Sequence, residues 1–214
     1  MTTLIVVRHG QSVSNLETVF TGQHETPLTE LGHLQAEATA QLLASRKINV
    51  IYSSDLSRAM DTARHTANQQ GLEIIPSAAL REIHAGQWEG HSYETLRQKF
   101  GKSYKTWLTD LGHAHPDGGE STLALAKRVY TEVDSLLKKH RGQCIAIFTH
   151  ATPVRMLACR WFGLPPERAA EVPFCTNASV CEIEYEDDGS FRVVRYGYNE
   201  HQGEHVTAFP KGAV

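Results

Sequence analysis

No apolar run in the chain approaches the ~18–20 residues that a membrane-spanning helix requires, which removes helical membrane proteins from consideration. Cysteine is scarce. The four thiols, Cys144, Cys159, Cys175 and Cys181, include no CxxC pair, so a disulfide scaffold is excluded and reduced, mostly core cysteines are expected. Charge is nearly balanced, with Lys+Arg 21 against Asp+Glu 24 and a net charge of −3, which gives no electrostatic reason to bind nucleic acid or a membrane surface. The opening stretch MTTLIVVRHG lacks the basic region and long apolar core of an export signal, and a cytoplasmic location is expected. Repeats, low-complexity stretches and linkers rich in Pro, Gly or Ser are also missing, so residues 1–214 are expected to form one domain. What is there is a chain with 41% apolar residues, long enough to bury a core without staples, and an unusual 12 histidines.

Short β-branched runs alternate with helical patterns. Leu4–Val7, Ile48–Tyr52, Leu72–Ile75 and Cys144–Phe148 read as strands buried on both faces. Helices are expected from Thr29, with Leu31, Leu34, Ala38 and Leu42 on the buried face, from about Asp55 to Gln70 with Gly71 as stop, from about Ser121 to His140, and from about Pro153 to Phe162. Ser179–Tyr185 and Phe191–Tyr196 flank the turn Asp187-Asp188-Gly189 as a hairpin. The segment at about 78–120, rich in Gly, His and aromatics, breaks the alternation; it reads as an insertion over the active face with one short helix around Tyr93–Phe100. The alternation itself predicts an α/β fold with a largely parallel sheet, whose ligands gather at the carboxyl ends of the strands.

At those ends stand the chemically interesting residues. Leu4–Val7 leads into Arg8-His9-Gly10, Cys144–Phe148 into Thr149-His150, Ile48–Tyr52 into Ser53 through Arg58, and the third strand into Arg81-Glu82. Two histidines, paired arginines and a glutamate on one face permit phosphoryl transfer. A neutral imidazole is a good nucleophile near its usual pKa of ~6.5 and can form a phosphohistidine. Guanidinium groups suit phosphate oxygens, and a carboxylic acid can protonate a leaving alkoxide, worth ~10²–10⁴-fold. Gly10 would let the backbone approach the phosphate.

Arg8-His9-Gly10, Ser53-Ser54-Asp55-Leu56-Ser57-Arg58-Ala59 with Thr62-Ala63, Arg81-Glu82, Asp117-Gly118-Gly119-Glu120-Ser121 and Thr149-His150, in this order and spacing, resemble the histidine phosphatase superfamily in its phosphoglycerate mutase-like, short-chain branch. The resemblance runs from Leu4 to at least Arg155. It implies a three-layer sandwich with a mostly parallel central sheet flanked by helices. It implies His9 as the phosphorylated nucleophile and Arg8, Arg58 and His150 as the phosphate pocket. Glu82 falls at the family's acid/base position, and Asn15 and the loop Thr21-Gly22-Gln23 at positions that touch phosphate or substrate. It implies neither metal nor cofactor. The substrate would be a small phosphorylated metabolite such as phosphoserine, a phosphoglycerate, a sugar phosphate or α-ribazole phosphate; which alcohol leaves is not readable. Neither nucleic acid nor membrane is an expected partner, and oligomeric state stays open, a homodimer included.

Two departures favour a phosphatase over the alternative, a cofactor-dependent phosphoglycerate mutase: Gln11 stands where mutases commonly carry Glu, and the Trp107–Asp117 stretch is short and lacks their paired arginines. Ala151-Thr152-Pro153 replaces a common Gly-Gly after the second histidine, leaving the Ala151 N–H available beside the phosphate. Blander readings stand beside these. Most of the histidines are read as solvated or core, Arg58 and Glu82 also fit a plain salt bridge, and Asn15 fits a turn cap equally well. His84, Trp88, Ser92 and Tyr93 line a substrate mouth or pack the insertion, and His201, Glu204 and His205 close over the site or are a mobile tail. Gly101-Lys102-Ser103 is no phosphate-binding loop, because Leu96 occupies the first glycine position. Asn177-Ala178-Ser179 would be glycosylated only in an exported protein, and the histidines lack metal-site spacing. The reading requires the imidazoles of His9 and His150 to share one anion-sized hollow walled by guanidinium groups.

Overall fold

A computed structural model describes residues 1–207; the last seven positions of the 1–214 unit expected above lie outside the described residues. Six strands form one mixed sheet in the order β3-β2-β4-β1-β5-β6. These are β1 (Thr2–Arg8), β2 (Val50–Ser53), β3 (Ile74–Pro76), β4 (Cys144–Thr149), β5 (Val180–Tyr185) and β6 (Phe191–Tyr198). β3, β2, β4 and β1 pair in parallel, whereas β5 and β6 add antiparallel at one edge. Alternate residues of the central strands face opposite sides, and both sides are covered. Ile5, Val7, Ala146 and Phe148 pack against α2 (Glu30–Leu43) and α3 (Ser57–Gln70). Leu4, Val6, Ile145 and Ile147 pack against α6 (Thr122–Lys139) and α7 (Ala151–Trp161). The sheet is thus the middle of three layers, and its unbroken β-branched runs follow from burial on both faces.

The helices begin and end on the residues that satisfy their backbones. Thr29 and Ser121 accept from the N–H groups of Gly32 and Ala124, and Gly71 closes α3 in a left-handed conformation (φ 65°). The α6 stripe Leu125, Val129, Val133 and Leu136 is buried as its spacing predicts. In α2 the expected face is wrong by one position. Gly32, Gln35, Ala36, Thr39, Ala40 and Leu43 are buried, while Leu34 is exposed. Gly32 lies there because a Cβ on it would stand 2.1 Å from the Gln11 carbonyl oxygen, and a Cβ on Gly10 would in turn stand 2.4 Å from the Gly32 carbonyl oxygen. The glycine at position 10 therefore admits a helix as well as any ligand.

Smaller differences have local causes. β3 starts at Ile74 and includes Pro76, which sits on the sheet edge where a missing N–H costs nothing. α7 starts at Ala151, directly after its N-cap His150. The insertion carries two helices instead of one, α4 (Tyr93–Lys99) and α5 (Gly101–Thr109), with the short α1 (Val13–Leu16) completing the set. α5 places Trp107 against Phe20 and Trp88, with ring centroids 5.1 and 6.1 Å apart in edge-to-face geometry. Trp88 and Tyr104 are core residues of this cluster, so Trp88 packs the insertion and does not line a mouth.

Candidate active site

The register of the two central strands decides the site. β1 and β4 pair in parallel with Arg8 opposite Thr149, and the His9 N–H donates to the Thr149 carbonyl at 2.9 Å. The next residue on each chain, His9 and His150, is therefore delivered to the same carboxyl edge, one strand spacing apart. Their ring centroids are 5.1 Å apart and tilted by 60°. His9 is 4% exposed and His150 fully buried.

His9 Nδ1 lies 2.6 Å from the Gly10 carbonyl oxygen. A carbonyl can only accept, so the proton sits on Nδ1 and the lone pair is left on Nε2. Burial, followed by the positive charges of Arg58 and Arg8, pushes the His9 pKa well below the usual imidazole range. Burial and Arg58 do the same for His150. Both rings are therefore neutral at pH 7. His150 Nε2 meets Ser54 Oγ at 2.8 Å, and its buried Nδ1 has no hydrogen-bond partner among the described residues.

Arg8 and Arg58 are buried to 2% and 1% exposure. Arg8 Nη1 donates to the Cys175 carbonyl at 2.6 Å, and its guanidinium lies 4.9 Å from the Phe174 ring centre. Arg58 donates to the carbonyls of His24 (3.0 Å) and Gly22 (2.8 Å). Those contacts fix both guanidinium planes, and burial lowers each pKa to about 10, which keeps both groups charged at neutral pH. Glu82 accepts from the N–H of Ile83 (2.8 Å) and of Thr152 (3.2 Å), the latter in the first turn of α7.

These groups open onto a cleft of about 610 Å³. Arg8, His9, Asn15, Gly22, Arg58, Glu82 and Ala151 line it, as do Val19, Phe20, Tyr93, Trp107, Leu111, Thr152, Arg155 and Phe174. Thr21 lines it too, so eight of the ten sequence-predicted site residues share one wall system. His150 lies against His9 behind the wall and is not itself a lining residue. Gln23 is not one either. Its amide donates to the Glu82 carbonyl (3.1 Å) and accepts from Arg81 (3.3 Å), so it braces the Glu82 loop. Gln11 turns away, accepting the Thr29 hydroxyl at 2.8 Å. Of the other mouth candidates Tyr93 lines the cleft, while His84 is exposed outside it. His201 and His205 rest on α2, through Thr39 Oγ1 (3.0 Å) and Gln35 Nε2 (2.7 Å), and do not cover the cleft.

Several supporting residues were given no role by the sequence. Thr62 Oγ1 accepts the Gly10 N–H at 3.0 Å. Asn177 donates to both the His9 carbonyl and Asn15 Oδ1, each at 3.1 Å. Arg128, paired with Glu120, holds the carbonyls of Ala79, Arg81 and Glu82 between 2.8 and 2.9 Å. Thr62 and Glu120 stood within recognisable blocks; Asn177 and Arg128 act across sequence separations that no local pattern records.

Comparison with known proteins agrees with this geometry. Residues 4–199 match the model of the histidine phosphatase superfamily (branch 1). The chain is 30% identical over 204 residues to phosphoserine phosphatase 1 of Hydrogenobacter thermophilus, covering 95% of this chain and 96% of that one. It is 32% identical over 202 residues to a 2,3-bisphosphoglycerate-dependent phosphoglycerate mutase of Gloeobacter violaceus, covering 91% and 90%. Among solved structures, Bacillus stearothermophilus YhfR superimposes with a TM-score of 0.90 at 29% identity, over 94% of this chain and all of that one.

Proposed function

Because the chain belongs to the histidine phosphatase superfamily, branch 1, we propose that it hydrolyses phosphomonoesters of small metabolites through a phosphohistidine on His9. One observation carries the reading: the His9 Nδ1–H bond to the Gly10 carbonyl, which leaves Nε2 as a lone pair in a buried site beside two fixed guanidinium groups. In the first step Nε2 attacks phosphorus and the bond from phosphorus to the ester oxygen breaks. The departing alkoxide takes the proton of Glu82, and Arg8 and Arg58 balance the charge on the phosphoryl oxygens. If the Ser54 hydroxyl donates to His150 Nε2, the orphaned Nδ1–H of His150 becomes a further donor to that group. The N-terminus of α7, which begins at Ala151 on the cleft wall, adds a favourable dipole. In the second step water attacks phosphorus, Glu82 takes its proton, the P–N bond breaks, and phosphate leaves with His9 regenerated.

Relatives named as mutases keep a second reading in play, transfer of the phosphoryl group between hydroxyls. Water must then be excluded from the phosphoenzyme, and the second anionic group of the substrate needs a cation of its own. Arg155 is one such cation on the cleft wall, while Val19, Phe20, Tyr93, Trp107, Leu111 and Phe174 make much of the rest of it apolar, so the two readings are separated by assay. The discriminating assay follows phosphate release from p-nitrophenyl phosphate and a panel of phosphorylated metabolites, beside interconversion of 3- and 2-phosphoglycerate with a bisphosphoglycerate primer. Release without interconversion is expected, and it should persist after treatment with a chelator. Efficient interconversion with little release would replace the phosphatase reading by the mutase one.

A further inference from the structure

On the outer face of the α2–α3 layer, away from the cleft, His33 Nδ1 and His65 Nε2 point at each other across 3.3 Å, with ring centroids 5.6 Å apart and planes inclined at 51°. The two nitrogens are hydrogen-bonded, and because two imidazole nitrogens on one tetrahedral metal at ~2.0–2.1 Å stand roughly 3.3–3.4 Å apart, a metal ion could take the place of the shared proton at the same separation. From this geometry we propose that His33 and His65 form a surface binding site for a divalent transition metal of the zinc type, with solvent completing the coordination. No third His, Cys, Asp or Glu among the described residues is placed to join them, so the site is bidentate on the protein side. Imidazole ligands select zinc, nickel or copper over magnesium or calcium.

The surroundings carry charges of both signs, since Arg64, which pairs with Asp61, also acts on the His65 ring. Glu37, one turn beyond His33 on α2, lines the same surface groove as His65, and its charge and that of Asp61 both act on the His65 ring. Burial and the neighbouring His33 hold His65 below the usual imidazole range, which keeps its nitrogens available as ligands. Binding has a mechanical consequence. His33 follows Gly32, whose backbone packs on Gly10 and Gln11, and His65 stands one turn beyond Thr62, which accepts the Gly10 N–H. A metal joining the two rings would staple together the two helices that brace the nucleophile loop.

Equilibrium dialysis of the whole chain against micromolar Zn²⁺, with Mg²⁺ as control, tests the site. We expect one equivalent of zinc per chain and a rise in Tm with zinc but not with magnesium. His33→Ala and His65→Ala should each weaken binding by about tenfold or more and abolish the Tm rise, with metal-free hydrolysis of p-nitrophenyl phosphate unchanged. In the wild-type protein, zinc should also protect His33 and His65 from diethyl pyrocarbonate, read by peptide mapping. Undiminished zinc binding in either variant, no binding by the wild-type chain, or equal carbethoxylation with and without zinc would overturn the proposal.

Discussion

His9 is a nucleophile candidate because of what its neighbours take away from it. One nitrogen is committed to the Gly10 carbonyl, and burial beside Arg8 and Arg58 disfavours the imidazolium, so the remaining lone pair stays available at neutral pH. Glu82, on the wall of the same cleft, is held by two backbone N–H groups. If it is the proton donor, Glu82→Gln should slow hydrolysis of alkyl phosphates by ~10²–10⁴-fold and of aryl phosphates, whose leaving groups need little help, far less. Steady-state comparison of the two substrate types checks this, and equal losses would remove Glu82 from that role. His9, His150, Arg58 and Glu82 were legible in the sequence because strand ends converge in any parallel sheet. Asn177 and Arg128 were not, since an amide or a guanidinium that holds a distant carbonyl looks like any other polar surface residue until the chain is folded.

At the scale of elements, α2 carries the clearest lesson. Its leucines suggest one buried face, yet the helix buries Gln35 and Thr39 on the neighbouring one. Gln35 accepts the Gln11 N–H at 2.8 Å, and Thr39 donates to the Ala178 carbonyl at 3.1 Å. Periodicity counts apolar residues and therefore misses a face chosen for hydrogen bonds to the active-site loops. The same contact makes Gly10 a packing residue. Its Cβ position is occupied by helix backbone, which cannot turn aside as a side chain would. Gly10→Ala should therefore cost on the order of 1–3 kcal/mol of stability and lower kcat as the His9 loop shifts. Denaturant melts and kinetics together check this; an unchanged midpoint would show that α2 yields freely. The strands and the ends of α3 and α6 were readable from β-branched runs and caps, whereas α5 escaped because its Gly101 start resembles a loop.

Over the whole molecule, the three-layer fold converts strand register into a buried, positively charged hollow, and this has a consequence for acid stability. His9 and His150 are held well below the usual imidazole pKa, and burial takes His201 down to about 4. Below pH ~6.5 the unfolded chain takes up protons that these native groups refuse, so stability is fully present above that pH and falls as pH drops towards 4. Tm measured across this range should be flat from pH 8 to about 6.5 and decline below it. A Tm that rises on acidification would mean the histidines are charged in the native state. The mostly parallel sheet and the covering of both its faces follow from the alternation visible in the sequence, whereas the strand order does not. The course of the insertion does not, because it is set by an aromatic cluster of Phe20, Trp88, Tyr104 and Trp107 assembled from distant segments.

Hydrolysis by this route begins with covalent transfer to one ring, that of His9. Mixing the protein with p-nitrophenyl phosphate, quenching in base within the first turnover and mapping the peptides by mass spectrometry tests that step directly. A phosphoryl group on His9, stable to alkali, lost in acid, absent from His9→Ala and accompanied by a fall in kcat of about 10³-fold or more in that variant, is the predicted result. Turnover at the wild-type rate by pure His9→Ala protein, or a label on any other residue, would contradict it.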